Sequence, residues 1–131
     1  MQLVVDASVA IAASHSPIGF ARFKTHDLVA PQLLLVEASS VLHEMAWRKE
    51  ITPTRARTML DRVLGAPISI RSPAKLLKAA WDLADEMGWA KTYDAQYVAL
   101  ARLLDCKLVT LDERLIRGIE RLDIAVRPRD L

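Results

Sequence analysis

The chain has one cysteine in 131 residues, Cys106, so no disulfide can form within it. That excludes a small secreted scaffold held by disulfides and makes a reducing compartment the natural setting. Long apolar runs are missing too. No stretch reaches the ~18 residues of a membrane span, and Asp6 interrupts the N-terminal one. The start has neither a basic segment nor an extended uncharged stretch, which argues against a signal peptide. Histidine is scarce and scattered, at 15, 26 and 43, without zinc-ligand spacing. The expectation is a cytoplasmic chain with no membrane association.

What is present suits one domain spanning residues 1–131. Apolar residues make up 52% and charged residues 26%, enough for a real core without disorder. Cys106 precedes a strand-like run and reads as a small apolar residue near that core. The formal charge is only +2, but it is unevenly spread. From Arg48 to Lys75 seven bases stand against two acids, and five arginines follow Asp112. Arginine's planar fork suits phosphate, although a solvated helix surface is the simpler account of the mid-chain run.

Strand-like runs fall at about 2–6, 28–30, 67–70, 107–111 and 124–127, with helical patterns between them. One helix is expected from Pro31 to about Lys49. A second is capped by Thr52 and runs to about Leu64. A third repeats the cap-and-proline pattern at Ser72–Pro73 and stops at Gly88. Residues 93–104, "YDAQYVALARLL", are apolar almost all round and predict a buried helix. Residues 9–26 read as one or two short helices broken around "SHSPIG". Alternating strands and helices imply a three-layer α/β/α fold around a central, mostly parallel five-stranded sheet.

Right-handed crossovers then place strand C-termini and helix N-termini on one edge, where open α/β sheets bind ligands. Asp6 ends the first strand, in "QLVVDASVA", and Asp112 follows "KLVTL". Asp94 sits in the first turn of the buried helix. Glu37 lies roughly 9 Å inside its own helix, beside the apolar stripe Leu34, Ala38, Val41 and Met45. Taken singly, Asp6 and Asp112 could each be helix caps and Asp94 a helix-dipole partner. Gathered on one edge, the acids repel one another unless a cation neutralises them. An all-oxygen set favours Mg²⁺, or Mn²⁺ in its place, over zinc.

Four motifs in this order, "VVDASVA", "PQLLLVEASSVL", "TYDAQYVALA" and "LVTLDERL", resemble the PIN-domain nucleases, and more narrowly the VapC toxins of toxin–antitoxin pairs. The resemblance spans Gln2 to about Ile124. It implies an acidic catalytic quartet of Asp6, Glu37, Asp94 and Asp112. Asp6 and Asp94 are the expected Mg²⁺ ligands, with Glu37 and Asp112 acting directly or through water. Ser8 and Thr110 fall at the small hydroxyl positions beside the first and last aspartates. Ser40 stands where members often carry Asn, and its hydroxyl can still bond a carboxylate or water.

The implied activity is hydrolysis of RNA phosphodiester bonds, leaving a 5′-phosphate and a 3′-hydroxyl. Arg48, Lys49 and Arg114 are the bases expected to contact the RNA. A VapB-type antitoxin is the implied partner, in a hetero-oligomer with a homodimer of this chain. Phe20, Phe23 and Trp47 are candidates for such a contact, although core packing is the commoner fate of such residues. A response-regulator receiver needs an Asp after the third strand, where Arg71 and Ser72 stand. A haloacid-dehalogenase phosphatase needs a second Asp at position 8, which is Ser8. The remaining alternative is a catalytically inactive PIN-like module that binds RNA or protein.

Overall fold

The computed structural model describes residues 1–131. Its centre is β1 (Gln2–Val5), in which Leu3, Val4 and Val5 are wholly buried. A continuous apolar run is what a strand covered on both faces requires. The chain then forms α1 (Ala7–His15), a 3-10 turn at Ala21–Phe23, β2 (Asp27–Ala30), α2 (Leu33–Trp47), α3 (Pro53–Leu64) and β3 (Ile68–Ile70). It continues through α4 (Leu76–Met87), α5 (Tyr93–Leu103), β4 (Lys107–Val109), α6 (Glu113–Gly118) and β5 (Ala125–Val126).

All five strands are parallel, in the order β3-β2-β1-β4-β5. The expected layered α/β sheet is therefore present, with no antiparallel member. Val4 pairs with Val29 on one side and Leu108 on the other. The chain winds outward from β1 through β2 to β3, then returns to β4 and winds the other way. The order reverses between β1 and β4, which makes that crevice the topological switch point. Right-handed crossovers put α1, α2 and α3 on one face and α4 and α5 on the other.

Several boundaries differ from the sequence expectation for local reasons. Asp6 leaves β1 to cap α1, and Thr110 and Leu111 leave β4 to turn toward α6. Ser72 does not cap α4, which begins at Leu76. Its hydroxyl instead accepts the Gln32 N–H at 2.9 Å, tying the end of β3 to the start of α2. Pro31 sits just before α2 rather than in it, its carbonyl accepting Leu34 N–H. The inner stripe of α2 runs Leu34, Ala38 and Leu42, while Val41 is 40% exposed. Leu34 joins the main core, while Ala38 and Leu42 face α3 and meet Met59 and Val63 in a small second core, so the stripe follows a four-residue spacing. Phe23 belongs to the main core and Phe20 packs against it, whereas Trp47 is exposed. No helix is long and apolar enough to cross a membrane.

Candidate active site

Asp6 lies at the C-terminal end of the central strand, buried, with both carboxylate oxygens engaged. Oδ1 accepts Ser8 Oγ–H and the Val9 N–H, the latter at 3.2 Å, so Asp6 does cap α1. Oδ2 accepts the Thr110 hydroxyl. Thr110, wholly buried, also accepts the Asp112 N–H at 3.0 Å. Ser8 reaches across in the same way, its Oγ accepting Leu111 N–H at 3.1 Å. Two small hydroxyls thus stitch the exits of β1 and β4 together at the switch point.

Asp112 caps α6, Oδ1 accepting the N–H groups of Arg114 and Leu115 at 3.0 and 3.2 Å. Its Oδ2 takes no hydrogen bond from the protein. Asp94 enters from the first turn of α5, and neither of its oxygens is hydrogen bonded. Glu37 arrives from α2, its Oε1 accepting the Tyr97 hydroxyl at 2.6 Å. Tyr97 lies one turn past Asp94 on α5, so that single bond joins the helices bearing the two acids.

The four carboxylates feel one another. Burial raises the Asp6 pKa most, opposed by its three hydrogen bonds, and Asp112 adds to the rise. Glu37 is raised by burial, then by Asp94 and Asp6, while Tyr97 pulls the other way. Asp94 is raised by burial, Asp112 and Asp6, and only Arg114 opposes this. The Tyr97 phenol is pushed far above its ordinary value by its own burial and by Glu37, so it remains a donor.

No side-chain base forms an ion pair with any of the four. As the side chains stand, no three acid, imidazole or thiol groups converge closely enough to enclose an ion. The donor set nevertheless fits a hard divalent cation. It supplies only oxygen, and Asp94, Glu37 and Asp112 retain lone pairs that no protein donor uses. A cation would also relieve their repulsion.

Most of the expected residues meet here, but not all. Asp6, Ser8, Glu37, Asp94, Thr110 and Asp112 form the cluster, and Arg114 stands beside Asp94. The Ser40 hydroxyl bonds none of the acids and faces a groove between α2 and α3. Arg48 pairs with Glu44. Lys49 sits past the far end of α2. Tyr97 was not anticipated, because position 97 in a nearly all-apolar helix reads as core. The available signal was its three-residue spacing from Asp94, together with a buried phenol's need for an acceptor.

Known proteins resemble this chain in sequence and in fold. The family described as PIN domain matches residues 3–120. The "VapC ribonuclease Mb0985" of Mycobacterium bovis is 34% identical over 130 residues, covering 97% of this chain and 99% of that protein. "Ribonuclease VapC3" of Pyrobaculum aerophilum is 36% identical over 123 residues, covering 88% and 92%. The crystal structure of PAE2754 from Pyrobaculum aerophilum superposes with a TM-score of 0.78 at 24% identity, covering 98% of this chain and 90% of that one.

Proposed function

The chain belongs to the PIN-domain family, with VapC ribonucleases among its full-length relatives, and on that premise we propose that it is a metal-dependent endoribonuclease toxin. Its reaction is hydrolysis of an RNA phosphodiester at Asp6, Glu37, Asp94 and Asp112. Its partners are a cognate VapB-type antitoxin that neutralises it and a second copy of the chain. The observation that carries the reading is the meeting of four carboxylates from four separate elements, mutually repelling and without a base to pair them. Such a cluster costs folding energy, which a purely structural edge would not retain.

Asp6, Asp94 and the nearer oxygens of Glu37 and Asp112 would hold the ion, Mg²⁺ or Mn²⁺. When bound, it supplies Lewis acidity at a phosphate oxygen and a more acidic water. The protein's own contribution is positional. Thr110 and Ser8 fix the Asp6 carboxylate so that it cannot rotate. Tyr97 fixes Glu37 through Oε1, and Oε2 takes no hydrogen bond from the protein. Glu37, anchored by Tyr97, is the carboxylate placed to take a proton from the attacking water.

Asp94→Asn is the cleaner test, since Asp94 makes no hydrogen bond, whereas Asp6→Asn disturbs three. The expected result is loss of Mg²⁺-stimulated RNA cleavage by about 10²-fold or more, with the circular dichroism spectrum unchanged. Full activity in the folded variant would remove Asp94 from the mechanism. Titration calorimetry separates the inactive-scaffold alternative, which has no need to bind Mg²⁺.

A further inference from the structure

A groove of 1120 Å³ runs between α2 and α3, lined among others by Ser40, His43, Trp47, Lys49 and Arg57. Trp47 is 79% exposed, an unusual position for the largest apolar side chain. Arg48 beside it is engaged with Glu44, but Lys49 and Arg57 have no acidic partner. Lys49 also holds a left-handed backbone, φ 60°, just past the helix end, a place that glycine or asparagine usually takes. The other two non-glycine residues with positive φ are Asp105 and Asp123, a type that tolerates this region. Lysine stands there against backbone preference. Ser40 continues the groove to within one turn of Glu37, and Trp47 lies about 15 Å further along the helix than Glu37.

We propose that this groove is the substrate track of the enzyme. On the ribonuclease reading above, RNA leaves the acid cluster along α2, stacks an unpaired base on Trp47 and sets its phosphates against Lys49 and Arg57. The free cations select a polyanion. The open indole selects a single strand over a duplex, because only an unpaired base offers its face. The start of the groove at Ser40, three residues past Glu37 on α2, favours substrate over an unrelated ligand.

The test measures anisotropy of a labelled single-stranded oligoribonucleotide bound to the Asp94→Asn protein, which does not consume it. Trp47→Ala is expected to weaken binding about tenfold. Lys49→Gly with Arg57→Ala should lower the slope of log affinity against log salt by about 1.4, two phosphates at ~0.7 each. Glycine accepts the φ of position 49, so the melting temperature of Lys49→Gly holds or rises. In the cleaving enzyme the same changes should raise KM more than they lower kcat. Unchanged affinity and salt slope overturn the track and leave the nuclease reading standing. Intact RNA binding with loss of the homodimer or of the antitoxin complex also overturns it, assigning the groove to a protein. A parent protein that neither binds nor cleaves RNA defeats the nuclease reading and the track together.

Discussion

The Tyr97 hydroxyl is one atom with two duties. Its ring is part of the main core, and its O–H holds Glu37 while lowering a pKa that burial raises. Tyr97→Phe keeps the packing and removes only the donor. The expected stability loss is about 1 kcal/mol, because Glu37 is only half-buried and water can replace the phenol. The functional effect has a definite sign: without the donor the Glu37 pKa climbs further, so the acid limb of the pH–rate profile moves to higher pH. A profile that moves to lower pH, or stays fixed, would show that Glu37 does not titrate in catalysis. Asp6 and Asp112 make a related point. Both are helix caps, as their sequence neighbours allow, and capping engages only one oxygen of Asp112. Capping and membership of the acid cluster therefore coexist at the same side chain.

At the scale of the element, α2 and α3 depend on α1. The α3 residue Arg62 donates to Ser14 O at 2.9 Å, and Arg55 donates to His15 O at 3.1 Å. Both carbonyls lie in the last turn of α1, where the helix dipole is negative and its acceptors are unpaired. Two of the mid-chain bases are thus structural, which the charge count alone did not separate from those without a protein partner. Arg62→Ala is expected to destabilise the fold by about 1 kcal/mol, read by urea unfolding. Cleavage per folded molecule should stay near the parent value, because Arg62 lies far along α3 from the acids. The stripe on α2 belongs to this scale as well. A helix facing the sheet would bury Val41, whereas one paired with α3 buries Leu42, and sequence periodicity cannot choose between such neighbours.

At the scale of the whole molecule, the metal-free protein carries a pH-dependent penalty. Asp6, Glu37 and Asp94 have folded-state pKa values above the unfolded ~3.9 and ~4.3. Between the unfolded and folded values the native state binds more protons, so stability falls as pH rises through the raised pKa values and then levels off. Glu113, held below its usual range by Arg127, acts in the opposite sense at the acid end. A cation bound only to the folded state adds stability, about 2.7 kcal/mol at a hundredfold excess over Kd. Melting in EDTA should therefore decline as pH rises above the unfolded carboxylate range, and then level off. Mg²⁺ should raise the melting temperature strongly at pH 8 and less at pH 5, where protons compete for the same oxygens. Asp94→Asn should melt higher than the parent in EDTA at pH 8 and respond less to Mg²⁺. An equal Mg²⁺ response at both pH values would place the ion elsewhere.

The sequence by itself determined the alternation of elements, the burial of β1 and α5, and the arrival of Asp6, Asp94 and Asp112 at one edge. Local patterns suffice for this: apolar runs, caps, and the handedness of crossovers. Only the tertiary structure decided which strands adjoin at the reversal of order, and so which hydroxyls join Asp6 to Asp112. It also made Tyr97, a core residue, Glu37's anchor, placed Ser40 in a groove rather than on the acids, and left Trp47 open beside unpaired cations. These depend on contacts across 60 or 104 residues of chain, and no local pattern records which distant partner a side chain will meet.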